Sequence, residues 1–241
     1  MTDQPSLTDD EKKLCDAAVI YVKENVANIV QKFSDLTICI PSDDPVSVFM
    51  AGAPGAGKTE ISKRLLEQFT LNKPVRIDAD EIRAMLPDYH GGNAHVFQKA
   101  SSLGVDKLYD YALKKRINVI MDNTFASERS LLDVERSINH KRRVEIYYLF
   151  QEPTLSWKYT QAREITEGRR ISEEVFIRAL LESRKNVNAA KKRFKERVVL
   201  NLVIHNFDKG IRNIKQNIGN IDEQLPDEYT VDNLRKALGI Q

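Results

Sequence analysis

One segment constrains this chain more than any other. Gly52-Ala53-Pro54-Gly55-Ala56-Gly57-Lys58-Thr59 matches the pattern G-x-x-x-x-G-K-[ST] in full. An apolar run, residues 46–51, precedes it, and a helical pattern over residues 60–69 follows it. Glycines at these spacings let a backbone wrap closely round phosphate oxygens with several N–H groups turned inward. The helix that follows offers its positive dipole end to the same anion. A loop of this kind needs a strand to carry it and a helix to leave by, so it commits the chain to an α/β fold. Lys58 is expected to reach the β- and γ-phosphates, and the Thr59 hydroxyl to ligate Mg²⁺.

The rest of the chain agrees. Apolar strand candidates at 75–77, 117–121, 144–150 and 198–204 alternate with helical patterns at 96–115, 156–165 and 173–194. Such alternation predicts a parallel sheet with helices on both faces. Ligands bind such sheets at the carboxyl ends of the strands, and Gly52, Asp78, Asp80, Asp122 and Thr124 all fall just beyond strand ends. Upstream, an apolar stripe from Leu14 to Phe33 predicts a helix capped by Ser6 or Thr8, and Pro41-Ser-Asp-Asp-Pro45 reads as a turn. The chain therefore divides into a helical N-terminal extension (1–45), a core (46–208), and a tail (209–241) read as loop plus a short helix over 231–238.

Composition excludes other classes. The net charge is only +2 over 241 residues, which argues against a long polyanion as partner. Two cysteines make neither a disulfide framework nor a zinc site. No run approaches the roughly 20 apolar residues that span a bilayer, and the polar, acidic start is unlike a signal peptide, so a reduced, cytoplasmic protein without membrane attachment is expected. The basic clusters 114–116, 140–143 and 191–193 read as solvated helix ends and turns.

Three further groups complete a phosphoryl-transfer site. In Arg76-Ile77-Asp78-Ala79-Asp80-Glu81-Ile82-Arg83, Asp80 suits the base that orients an acceptor hydroxyl and takes its proton. The Asp80-x-x-Arg83 spacing puts both groups on one helix face, where Arg83 holds an anionic part of the acceptor or fixes the carboxylate. Asp78 is open between catalysis and a helix cap. Asp122, ending an apolar strand, is placed to reach Mg²⁺ or its waters. Arg163 and the Glu167-Gly168-Arg169-Arg170 turn can close over the γ-phosphate.

With these motifs in order, GAPGAGKT, RIDADEIRAMLPDY, VDKLYDYALKKRINVIMDNT and QAREITEGRRISEEVF, the chain resembles the zeta-toxin family of P-loop kinases from about Val46 to Asn206. The resemblance implies transfer of the γ-phosphate of ATP, with Mg²⁺, to the 3′-hydroxyl of the amino-sugar of UDP-N-acetylglucosamine, as the toxin of a toxin–antitoxin system. It implies Lys58 and Thr59 on the ATP·Mg²⁺ positions and Asp80 as base. Asp106 and Thr124 would contact the sugar nucleotide, Arg163 and Arg170 (or Arg169) would clamp phosphate, and His205 and Asn206 would lie near the adenine. It also implies restraint by an antitoxin in trans or by residues 1–45 in cis, a plain scaffold helix being the other reading of that segment. The sequence departs from the pattern at Asp106, where the family usually has Glu, at Ala126, where several members have Arg, and at Ser172, which replaces a common Pro. Two alternatives stay open: a P-loop kinase for another hydroxyl acceptor (another UDP-sugar, a polynucleotide 5′-hydroxyl or a small molecule), and a nucleotide-binding module without phosphoryl transfer.

Overall fold

The structure, a computed structural model, describes residues 7–167, 171–206, 210–225 and 229–239. The first helix, α1 (Asp9–Glu24), starts at Thr8, which forms a capping box with Glu11. The stripe expected to run on to Phe33 breaks at Asn25. There both the side chain, at 2.9 Å, and the backbone N–H, at 3.0 Å, donate to Tyr21 O, a local side-chain bond of the kind that favours helix ends, and α2 (Val26–Phe33) begins afresh. Cys15, Ala18, Val22 and Ile29 of this pair bury against Leu86, Val96, Phe97 and Ala100.

From there strand and helix alternate: β1 (Val46–Ala51), α3 (Lys58–Gln68), β2 (Val75–Asp78), α4 (Ala79–Arg83), α5 (Gln98–Lys114), β3 (Val119–Asp122), α6 (Arg129–Asn139), β4 (Arg143–Phe150), α7 (Pro153–Glu167), α8 (Glu173–Phe194), β5 (Val198–Asn206), β6 (Gly210–Lys215) and α9 (Val231–Leu238). The sheet runs β2-β3-β1-β4-β5-β6. All neighbours are parallel except β5 and β6. Every residue of β1 is buried, as a strand covered on both faces requires. Phe49 and Ala51 point into the core under α5, α6 and α8, while Val46, Val48 and Met50 pack under α3.

Two elements were not anticipated. Helix α6 buries Ser130, Asp133 and Ser137 beside Val134 and Ile138, so its inward face carries no plain apolar stripe. Strand β6 lies in the tail read as loop. It is an antiparallel strand that needs only backbone bonds to β5, and it makes the sheet mixed. The tail also contributes Ile221 and Leu225 to the main core and Leu234 to a cluster with Trp157 and Phe176.

One basic cluster is not solvated as expected. Arg142 is 5% exposed. It donates to Ser47 Oγ at 2.7 Å, Val46 O at 2.9 Å and Ile117 O at 2.5 Å, so it joins the starts of three strands from inside. Arg116 donates to Ser42 O and Asp43 O and holds the 41–45 turn.

Candidate active site

The loop leaving β1 is built as the motif demands. Gly52, Gly55 and Gly57 have φ of 128°, 75° and 87°. A Cβ on Gly52 would lie 2.4 Å from Leu149 O, and one on Gly55 would lie 2.2 Å from Ser156 O. No other residue fits either position. Gly52 N donates to Thr124 O at 3.1 Å and ties the loop to the end of β3. Lys58 opens α3, with Nζ on Ala53 O at 2.7 Å and Gly52 O at 3.1 Å.

A cleft of about 430 Å³ opens above this loop. Pro54, Gly55, Gly57, Lys58 and Thr59 line it together with Asp80, Arg83, Asp122, Thr124 and Arg163. Residues distant in sequence thus converge at the strand ends.

Asp78 resolves toward the cap. Its Oδ1 accepts from Asp80 N at 2.9 Å and its Oδ2 pairs with Arg76 Nη2 at 2.7 Å. Asp80, in the first turn of α4, lines the cleft and pairs with Arg83 Nη1 at 2.5 Å, the i, i+3 geometry read from the spacing. Arg83 is 4% exposed. Its Nη2 donates to Gln98 Oε1 at 2.9 Å and Ser101 Oγ at 3.3 Å, while its Nε has no partner among the described residues. Burial, opposed in part by Tyr89 and Asp78, pulls its pKa below the ordinary value.

Arg76 carries no motif of its own in the sequence. This buried guanidinium bonds to Asp122 Oδ2 at 2.5 Å, Asp78 Oδ2 at 2.7 Å, Glu81 Oε1 at 2.5 Å and Ser62 Oγ at 3.0 Å. Burial works against its charge, but Asp122, then Asp78 and Glu81, outweigh it and raise its pKa. A cation between Val75 and Ile77, inside an otherwise apolar strand, was the available signal, since a buried charge needs partners.

Asp122 Oδ2 accepts from both Ser62, at 2.8 Å, and Arg76. No described residue hydrogen-bonds its Oδ1. Among the described residues no cluster of three His, Cys, Asp or Glu could cage a metal. A hydroxyl at Thr59 and one carboxylate in the same cleft fit Mg²⁺, which keeps several waters and is bound largely through substrate phosphates.

The Zeta toxin family model matches residues 29–218, well over half the chain. The chain belongs to the zeta-toxin family. Its fold is similar to the structure of the PezAT chromosomal toxin–antitoxin system of Streptococcus pneumoniae, with a TM-score of 0.62 at 16% identity, covering 97% of this chain and 95% of that one. It is also similar to the AvrRxo1-ORF1:-ORF2 complex with ATP, with a TM-score of 0.56 at 15% identity, covering 90% and 73%. The search of curated proteins finds no match.

The residues expected to form the site are only partly gathered. Lys58, Thr59, Asp80, Arg83, Asp122, Thr124 and Arg163 share the cleft. Arg163 projects from α7 beside Tyr159 and Ala162. Asp106 does not line it. It pairs with Arg129 in a neighbouring cavity of about 1030 Å³ between α5, α6 and α8. Burial raises its carboxyl pKa, against the pull of Arg129 and Arg136. Arg169 and Arg170 lie outside the described residues, as does the side chain of Asn206, whose backbone ends β5. His205, half-buried on β5, has its pKa lowered by burial, with Glu60 raising it and Arg64 lowering it. The end of β5 therefore lies by the first turns of α3.

Proposed function

We propose that this zeta-toxin family member is an ATP-dependent kinase whose acceptor is the 3′-hydroxyl of the amino-sugar of UDP-N-acetylglucosamine. The supporting observation is the convergence on one cleft of the glycine loop, Lys58, Asp80 with Arg83, and Arg163.

The loop N–H groups and the start of α3 bind the β- and γ-phosphates. Lys58 Nζ, now on two loop carbonyls, moves to the phosphate oxygens and adds its charge. Asp80 accepts the acceptor's hydroxyl proton as its oxygen bonds to the γ-phosphorus. The bond from that phosphorus to the β,γ-bridging oxygen breaks, and ADP leaves. Arg83 fixes the Asp80 carboxylate. Arg163 and Arg170 neutralise charge on the group in transit. Mg²⁺, held by Thr59 and Asp122 when bound, supplies Lewis-acid neutralisation of the phosphates. Thr124 serves the sugar nucleotide from within the cleft, and Asp106 would serve it from the adjoining cavity on release from Arg129.

A second acceptor reading is favoured by one observation. Asp106, shorter than the family's Glu, is already engaged by Arg129, and Ala126 offers no cation. Another UDP-sugar or hydroxyl compound is then phosphorylated by the same machinery. Incubation with γ-labelled ATP and a panel of UDP-sugars, nucleosides and 5′-hydroxyl oligonucleotides separates the two. Label on UDP-N-acetylglucosamine alone is expected; label on another member transfers the assignment, and label on none contradicts the kinase.

The setting we infer is cytoplasmic, with an antitoxin as protein partner. No described helix is long and apolar enough to cross a membrane. The described part of residues 1–45 packs on α5 and lines none of the cleft, which supports scaffold over inhibition in cis. Deleting 1–45 should lower stability without raising ATP turnover; a rise in turnover would restore the inhibitory reading.

A further inference from the structure

We propose that Arg76 is a positioning residue for phosphoryl transfer, acting through Asp122. Resting on the nucleotide-site reading above, it makes Arg76 a fixed internal cation that orients Asp122 toward the metal bound with the nucleotide.

The four bonds of Arg76 converge on four elements at the carboxyl ends of β2 and β3. Ser62 belongs to α3, Asp78 ends β2, Glu81 lies in α4 and Asp122 ends β3. Asp78 and Asp122 are register partners on adjacent parallel strands, so two carboxylates lie side by side in a region where both are mostly buried. Without a cation between them, their repulsion and desolvation would turn one away or neutralise it. Arg76 and Ser62 both hold Oδ2 of Asp122, which fixes the carboxylate plane and leaves Oδ1 of this cleft-lining residue without a hydrogen-bond partner among the described residues. The remaining acid, Asp78, is spent on the cap of α4 and on Arg76. Of the two strand-end acids, only Asp122 keeps an oxygen for a metal or its water. The arginine also cancels part of the local negative charge. Divalent cation binding should then depend on the nucleotide phosphates, since the described residues form no protein cage for it.

The test is nucleotide affinity measured by calorimetry on the full chain, with Mg²⁺ and with EDTA. In wild type, Mg²⁺ should tighten ATP binding by about tenfold or more, a coupling between two ligands. Arg76→Gln should keep the EDTA affinity, because the glycine loop and Lys58 are untouched, and lose most of the Mg²⁺ increment. Asp122→Asn should lose the same increment, and the double variant should lose no more than the larger single loss, since both changes remove one function. Arg76→Met is measured in parallel in case the glutamine variant does not fold. A folded variant that keeps the wild-type increment overturns the proposal. So does failure of both to fold, which would make Arg76 a stabilising residue only. If wild type itself binds ATP no better with Mg²⁺, or not at all, the nucleotide-site reading falls instead and takes this one with it.

Discussion

Two buried arginines lie toward opposite ends of the sheet, and their partners differ in kind. Arg76 reaches toward the carboxyl ends of β2 and β3, where it meets three carboxylates and a hydroxyl, and its pKa is raised. Arg142 sits where β4 begins and meets a hydroxyl and two backbone carbonyls. Its pKa is lowered to about 10, chiefly by burial, and its Nη1 has no partner among the described residues. Both are less than a tenth exposed. On the proposed function the two ends divide their tasks. A cation among carboxylates would organise charge where charge must move, whereas a cation among carbonyls pins strand starts together. Variants at the cleft end should therefore change catalysis more than stability, and variants at the other end the reverse.

The largest effect that can break this contrast is at Lys58. Lys58→Ala should lower phosphate transfer by about 1000-fold, as expected for loss of a group facing the transferring charge, with the thermal midpoint nearly unchanged. A comparable fall in the midpoint would place Lys58 among the structural residues. Arg142→Met is the converse case. It removes three buried hydrogen bonds and should cost about 2 kcal/mol, or roughly 4–8 °C in a domain this size, with kcat intact in the surviving folded protein. A loss of kcat at full stability would erase the distinction between the ends.

Smaller effects sharpen the contrast. Arg83→Lys keeps the charge but not the fork that spans Asp80, Gln98 and Ser101. It should lower kcat by about tenfold with less change in KM; a change confined to KM would make Arg83 a binding residue only. The smallest effect is at Glu11, which belongs to neither arginine's hydrogen-bond network. Bonds from Thr8, chiefly its backbone N–H, and from His95 hold this carboxyl below its ordinary 4.5. A lowered folded pKa means that the stabilisation is present above the unfolded value and is lost as pH falls through the folded one. Glu11→Gln should therefore flatten the acid limb of the stability–pH curve slightly and leave neutral-pH activity alone.

How much of this was legible depends on where the information sits. The bounds of β1, α8 and α9 follow from residue pattern and agree with the structure, because apolar spacing dominates there. The glycine loop and the Asp80–Arg83 pair were legible because each is a local motif whose spacing is its geometry. The Arg76 network joins residues 62, 76, 78, 81 and 122, and only the parallel register of β2 and β3 brings the last of these beside the others. Arg142 read as surface because three consecutive basic residues, Lys141 to Arg143, look solvated, and the turn of the chain alone selects the middle one for burial. The break at Asn25 falls inside an apolar stripe, where spacing alone does not mark it. Strand β6 was hidden because antiparallel pairing to β5 asks little of its side chains.

The central claim is that this cleft moves a phosphoryl group with Asp80 as the base. It is tested most directly by single-turnover transfer from γ-labelled ATP with Asp80→Asn beside wild type, at matched ATP occupancy and in the presence of an acceptor that wild type labels. The account predicts unchanged ATP binding and a transfer rate lower by at least about 100-fold. Transfer at near-wild-type rate by a folded, ATP-bound Asp80→Asn protein would contradict it.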